Sequence, residues 1–176
     1  MSALPPTARA VLGGLVGGGA ASLALVLPAL LGLPATNRFA EYASLVIGLL
    51  AVHLGTRAPP AGGDSVGARL GRAALLVTTL AAVTGVSAYL LFAVWRPGLL
   101  AARYAAYEQE VRASGATAAR IGHELARLAA SRPEYLDPGY QALTGASTVF
   151  FFGMLLGAYG AWQLQVARRW RRPTAR

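Results

Sequence analysis

The chain alternates long apolar segments with short polar ones, and four of the apolar segments are long enough to cross a bilayer. A membrane helix needs about 20 mostly apolar residues, because each residue adds about 1.5 Å towards a hydrocarbon core of roughly 30 Å. The pattern predicts membrane-spanning helices at residues 11–33, 39–56, 73–95 and 142–167. The second span is the shortest of the four, and it carries Glu41 near its start and His53 near its end.

A longer polar segment, residues 98–138, separates the third and fourth spans. Two apolar stripes recur in it at helical spacing, Leu100, Tyr104, Tyr107 and Val111 in the first half and Ile121, Leu125 and Leu128 in the second. Ser114-Gly115 interrupts the pattern between them, so the segment predicts a helical hairpin outside the membrane. The two stripes could pack on each other, lie on the lipid surface or bind a partner. The expected architecture is therefore all-α, a single polytopic membrane domain over residues 1–176.

Composition agrees with a membrane protein and excludes several kinds of chemistry. The chain is 55% hydrophobic and 13% charged, and its mean hydropathy is +0.48. Because it contains no cysteine, it has no disulfide, no thiolate nucleophile and no cysteine-based metal site. We expect no catalytic residue, no cofactor and no metal.

The charged residues predict the orientation of the spans. The loops and ends on one side of four crossings hold nine arginines and only Asp64, whereas the other side holds seven arginines and six acidic residues. Positive residues in short loops remain in the cytoplasm, so both termini are predicted to be cytoplasmic. The arginines lie at the ends of apolar segments and form no stripe interleaved with aromatic residues, so the net charge of +9 does not indicate nucleic-acid binding.

Small residues recur every four positions in the first and fourth spans. The predicted packing positions are Gly13, Gly14, Gly17, Gly18 and Ala21 in the first span and Gly153, Gly157 and Ala161 in the fourth. Small side chains let membrane helices approach closely, and close approach drives helix association in lipid. We expect these faces to be buried against other helices.

Ionisable and polar groups near the second span are the candidates for a polar site. Glu41 lies in the first turn, where the helix dipole favours a carboxylate and where Arg38 is available as a partner. The alternative is a cation or proton site made by Glu41, Tyr42 and a group from the hairpin. His53 is expected to be a hydrogen-bonded residue at the membrane boundary, with a ligand role as the alternative.

The end of the fourth span carries a dense basic cluster. Its residues are Arg168, Arg169, Trp170, Arg171 and Arg172. A basic cluster next to a membrane attracts anionic headgroups. We expect it to contact lipid headgroups, with docking to an acidic partner as the alternative.

Several short motifs together resemble a bacterial membrane family of unknown function, number 4199 in the domain-of-unknown-function series. The motifs are Glu41-Tyr42, Leu54-Gly55-Thr56-Arg57, the loop Gly62-Gly63-Asp64-Ser65-Val66-Gly67 and Tyr135-Leu136-Asp137-Pro138. Val66 stands where the family usually has an aromatic residue, and Arg69 stands where a small residue is common. The resemblance covers residues 7–172 and implies a four-pass protein of the bacterial inner membrane without assigning an activity.

Two functions fit these features. The first is a non-enzymatic accessory or scaffolding subunit that packs through its glycine-rich faces, either with a second copy or within a larger membrane complex. The alternative is a small dimeric transporter or channel with a polar site near Glu41. A transport path would have to use the scattered polar residues of the spans, namely Ser44, Thr78, Thr79, Thr84, Ser87, Gln163 and Gln165. Because no acid, base and nucleophile converge, we predict that the protein is not an enzyme.

Overall fold

The computed structural model describes residues 4–33, 39–57 and 65–170, and every regular element in these ranges is helical. The elements are α1 (Pro6–Leu30), α2 (Phe39–Arg57), α3 (Val66–Leu90) with a π-helical turn (Leu91–Trp95), α4 (Leu99–Ala113), α5 (Ala118–Ala130), α6 (Arg132–Leu136) and α7 (Pro138–Trp170). Four of them are long and apolar enough to cross a membrane: α1, α2, α3 with its π-turn, and α7. The predicted fold class is confirmed, and the protein is an all-α, multi-pass membrane protein.

The first span ends three residues earlier than the apolar pattern predicts. α1 stops at Leu30 because Gly32 adopts φ +79°, a backbone conformation that L side chains disfavour. The Gly32 N–H donates to the Ala29 carbonyl (3.2 Å) and the Leu33 N–H to the Pro28 carbonyl (3.1 Å). This pair of bonds is a Schellman motif, which satisfies carbonyls at the end of a helix.

The third span begins earlier than predicted, at Val66 instead of residue 73. The Ser65 hydroxyl accepts a hydrogen bond from the Ala68 N–H (3.1 Å) and so caps the helix. The first two turns of α3 carry Arg69 and Arg72, so the helix starts outside the apolar region and continues into it. Hydropathy locates the apolar part of such a helix and not its first turn.

The four spans alternate in direction and form a bundle. α1 and α3 run parallel, since Gly14 lies against Thr79 and Gly18 against Val83. α2 and α7 run the other way; α3 packs mainly on α1 and α7, and α2 packs mainly on α1 and also on α7, with fewer contacts to α3. α1 and α7 therefore occupy opposite corners, and α2 approaches α3 across the middle.

This alternation places the loops at two ends of the bundle. At the hairpin end, α1 finishes, α2 begins, the π-turn leads into α4, and α7 begins. At the opposite end, which we call the terminal end, α1 begins, α2 finishes, α3 begins and α7 finishes. The interior is apolar, and its largest fully buried side chains are Leu80, Leu91, Val52 and Val77.

The extramembrane segment folds as a hairpin of α4 and α5 followed by the short α6. Gly115 adopts φ +69° in the connection, and the Thr117 hydroxyl accepts from the Arg120 N–H (3.4 Å) to cap α5. α4 contacts both α5 and α6, and the Tyr104 ring meets the Tyr135 ring edge-on at 5.6 Å. Within the chain the hairpin therefore packs on itself, and contacts of its apolar stripes with lipid or with a partner stay a prediction.

Candidate functional site

The small residues of α1 lie at the contacts with α2 and α3. Gly14, Gly17, Gly18 and Ala21 are buried, and a Cβ atom on Gly14 would lie 2.6 Å from the Leu76 carbonyl oxygen. Gly13 is half-buried, and its added Cβ would meet a Leu76 methyl at 3.5 Å. This face is used inside the chain and is not free for a second protein.

The small residues of α7 are also at contacts between spans. A Cβ on Gly153 would lie 2.9 Å from Val77, and one on Gly157 would lie 3.0 Å from Ala73. Ala161 is buried as well. Here too the close approach is between helices of the same chain, chiefly α7 and α3.

Glu41 forms an ion pair with Arg103 of α4 at the hairpin end. The Arg103 guanidinium also lies over the Phe92 ring, 5.5 Å from its centroid. The Arg103 side chain is only 13% exposed, whereas that of Glu41 is 46% exposed. The Nε of Arg103 is buried without a hydrogen-bond partner among the described residues. The carboxylate is neutralised by a guanidinium, so this arrangement fastens the hairpin to the bundle and leaves little charge for binding a cation.

The other two members of the predicted polar site do not join Glu41. Tyr42 is 62% exposed on the outside of the bundle. His53 is half-buried near the other end of α2. At about 1.5 Å per residue it lies about 18 Å from Glu41 along the helix axis. Arg38, the partner expected for Glu41, lies outside the described residues. The structure thus brings Glu41 together with a hairpin residue and keeps His53 apart.

Sequence reasoning did not single out Arg103. A signal was present, because Arg103 follows the buried residues Leu99 and Leu100 by one turn and so lies near the apolar side of α4. Its predicted location is on the same side of the membrane as Glu41. The sequence therefore places the two charges on one side of the membrane, and the docking of α4 is what pairs them.

We expect substitution of Glu41 and Arg103 to show energetic coupling. Glu41→Gln leaves a mostly buried guanidinium without its carboxylate, so it should cost about 1 to 2 kcal/mol. Unfolding titrations of Glu41→Gln, Arg103→Gln and the double variant in mixed micelles should give a coupling energy of about 1 kcal/mol.

The control is the exposed pair Glu108–Arg112 within α4. Exposed pairs four residues apart on a helix contribute about 0.3 to 0.5 kcal/mol. Glu108→Gln and Arg112→Gln should therefore couple less than the Glu41–Arg103 pair. If the two pairs had equal coupling energies, or if the stability losses of Glu41→Gln and Arg103→Gln simply added in the double variant, the hairpin would not be held by this ion pair.

A π-helical turn ends the third span and directs Arg96 to the end of α1. The Arg96 N–H donates to the Leu91 carbonyl five residues back (2.8 Å). The side-chain Nη1 of Arg96 donates to the Ala29 carbonyl of α1 (2.7 Å). A cation at the carboxyl end of a helix is favoured by the helix dipole. The turn therefore ties the ends of the two parallel spans together.

The polar residues inside the spans are few and mostly satisfied by their own helix. Thr84 is buried and its hydroxyl donates to the carbonyls of Leu80 (3.0 Å) and Ala81 (3.1 Å). Thr79 donates to Leu75 (2.8 Å). Ser22 and Ser44 are buried, and the Ser22 hydroxyl has no hydrogen-bond partner among the described residues. These side chains are spread over three helices.

Among the side chains that the structure describes, the remaining polar residues predicted for a transport path add no connected path. Thr78 and Gln163 are exposed, Ser87 is half-buried, and the side chain of Gln165 lies outside the described part of the chain. Among the residues that the structure describes, no three His, Asp or Glu side chains come close enough to hold a metal ion.

The predicted headgroup-binding cluster falls largely outside the structure. Arg171 and Arg172 lie outside the described residues, and only the helical backbone of Arg168, Arg169 and Trp170 is described. Their role in lipid binding stays a prediction.

Comparison of the chain with protein-family models, with curated proteins and with solved structures finds no match. The resemblance to the four-pass bacterial family therefore stays a prediction.

Proposed function

We propose that the protein is a non-enzymatic accessory or scaffolding subunit of a membrane complex. The observation that carries this proposal is the character of the bundle interior. Among the described residues, its buried side chains are apolar apart from three hydroxyl residues, Ser22, Ser44 and Thr84. An interior of this kind offers a rigid structural body and no group that could transform a substrate.

The glycine-rich faces of α1 and α7 stabilise the subunit itself in this proposal. They hold α1 against α2 and α3, and α7 against α3. Contacts with a second copy or with other chains then use the outward surfaces of the spans or the hairpin. The outward surface is apolar on every span, and exposed examples are Val16, Leu50, Val86 and Leu143.

The proposed location is the bacterial inner membrane, with both termini in the cytoplasm. The charge difference between the two sides supports this orientation, because the terminal end is arginine-rich and almost free of acidic residues. In this orientation the cluster of residues 168–172 contacts the anionic headgroups of the cytoplasmic leaflet. Membership of the four-pass bacterial family, proposed from the motifs at Glu41, Gly55 and Asp137, accords with the same location.

The alternative, a small dimeric transporter or channel, receives less support from the geometry. Glu41 is paired with Arg103, and the hydroxyls of Thr79 and Thr84 are bonded to carbonyls of their own helix. A transport path requires polar groups that face one another along the bundle. The described residues offer isolated hydroxyls instead.

The test is photo-crosslinking in the native membrane. A photoreactive residue is placed in turn at Val16, Leu50, Val86 and Leu143, which are exposed on the four different spans. An accessory subunit should give a protein adduct from one face and lipid adducts from the others. Mild detergent should extract the subunit together with the protein to which it was crosslinked. Lipid adducts from all four faces, with a monomer after extraction, would contradict the proposal.

A further inference from the structure

The hairpin end contains an open cleft of about 510 Å³ beside the end of the first span. Its walls come from Gly32 and Leu33 after α1, from Trp95 and Arg96 at the π-turn, and from Leu99 and Ala102 of α4. The cleft lies where two apolar spans end, at Leu30 and Trp95. The ends of membrane-spanning segments lie at the headgroup region of a bilayer, so the cleft lies there too.

The cleft contains a cation, Arg96, that forms no ion pair with a described carboxylate. Arg96 lines the cleft, and its Nη1 donates a hydrogen bond to the Ala29 carbonyl. The structure records no ion pair for Arg96 within the described ranges, and none of the described residues that line the cleft is acidic. The bond to Ala29 fixes the guanidinium in place, so its remaining donors are held at the cleft.

The walls of the cleft are apolar on the side of the spans. Trp95 is 47% exposed there, and tryptophan prefers the boundary between acyl chains and headgroups. Leu33 is exposed next to it and continues the apolar surface of Leu30 and Leu31. A ligand that suits both parts of the cleft has an anionic group for Arg96 and a hydrocarbon part for the leucines.

We propose that this cleft binds the phosphate headgroup of an anionic phospholipid in the leaflet on the hairpin side. Guanidinium groups recognise phosphate through short charge-assisted hydrogen bonds. A free phosphate ion shares this chemistry but gains nothing from the apolar wall beside Trp95. A lipid is therefore the phosphate-bearing ligand that fits the whole cleft. This proposal is independent of the proposed accessory function.

The test is lipid binding to the full-length protein in a neutral detergent, counted by native mass spectrometry. Phosphatidylglycerol is titrated against the protein, with zwitterionic phosphatidylcholine, whose phosphate is balanced by a choline cation, as the comparison of zero net charge. One basic residue near a membrane contributes about 1 kcal/mol to binding anionic lipid, so Arg96→Gln should weaken phosphatidylglycerol binding roughly fivefold. The control Arg120→Gln removes the same charge from an exposed position on α5, away from the cleft, and should leave binding unchanged.

A second variant keeps the proposal testable if Arg96→Gln disturbs the fold. Ala102→Phe retains Arg96 but fills the cleft from its exposed wall, and it should also weaken phosphatidylglycerol binding. Inorganic phosphate at millimolar concentration should not displace the lipid. Wild-type lipid binding in both variants would overturn the proposal. Arg96-dependent binding of inorganic phosphate without preference for phosphatidylglycerol would overturn the assignment to a lipid.

Discussion

Replacing Gly14 by leucine should destabilise the bundle by about 3 kcal/mol or prevent its assembly, because overpacking alone costs about 1 to 3 kcal/mol and the atoms it meets cannot move away. A Cβ at Gly14 would lie 2.6 Å from the backbone carbonyl of Leu76 and 2.7 Å from the Cβ of Thr79. Three further carbons would have to push α1 away from α3. Unfolding of the purified protein by sodium dodecyl sulfate in mixed micelles measures the loss.

Gly19 provides the matched control on the same helix. A Cβ atom on Gly19 would meet nothing within 4 Å, and leucine is a better helix former than glycine. Gly19→Leu should therefore unfold at the same detergent fraction as the wild type or at a higher one. If the two variants unfold alike, close approach at Gly14 does not hold α1 against α3.

Replacing Leu80 by alanine should destabilise the protein by about 2 to 3 kcal/mol, near the lower end of the range for buried leucines. Leu80 is fully buried at the centre of the bundle, and its methyl groups lie next to Gly17 of α1 and Gly48 of α2. The unfolded helices also remain in an apolar medium, so little hydrophobic transfer energy is lost. The cost comes from van der Waals contacts that the cavity removes.

The matched control for Leu80 is Leu50, which is 53% exposed on α2. Lipid chains fill the space left by Leu50→Ala, so that variant should lose less than about 1 kcal/mol in the same titration. Equal losses for the two leucines would mean that the packed centre described for the bundle is not the source of its stability.

The fold could be predicted from the sequence because hydropathy and helix length decide it. Four apolar segments of sufficient length indicated four spans, and the described part of the chain contains four such helices. The break at Ser114-Gly115 also marked the connection of the hairpin, where Gly115 adopts a positive φ. The ends of the spans were less predictable, because Gly32 and Ser65 set them through local hydrogen bonds.

The contents of the hairpin end could not be predicted in the same way. The pairing of Glu41 with Arg103 depends on how α4 docks, which the spacing of residues along the chain does not encode. The π-turn at Leu91–Trp95 is a change of hydrogen-bond register that apolar periodicity cannot distinguish from an α-helix. Small residues indicated that some faces of α1 and α7 would be packed, but not that the partners would be α2 and α3.

Cysteine accessibility is the most direct test of a bundle with four crossings, and the chain is suited to it because it contains no cysteine. Single substitutions are made at Ser65 before α3, at Ser114 in the hairpin and at Ile47 within α2. In the proposed orientation, a membrane-impermeant maleimide added to intact bacterial cells should label Ser114→Cys, should label Ser65→Cys only after the membrane is opened, and should not label Ile47→Cys before solubilisation. Labelling of Ser65→Cys and Ser114→Cys from the same side, or of Ile47→Cys in the intact membrane, would contradict the four-span arrangement.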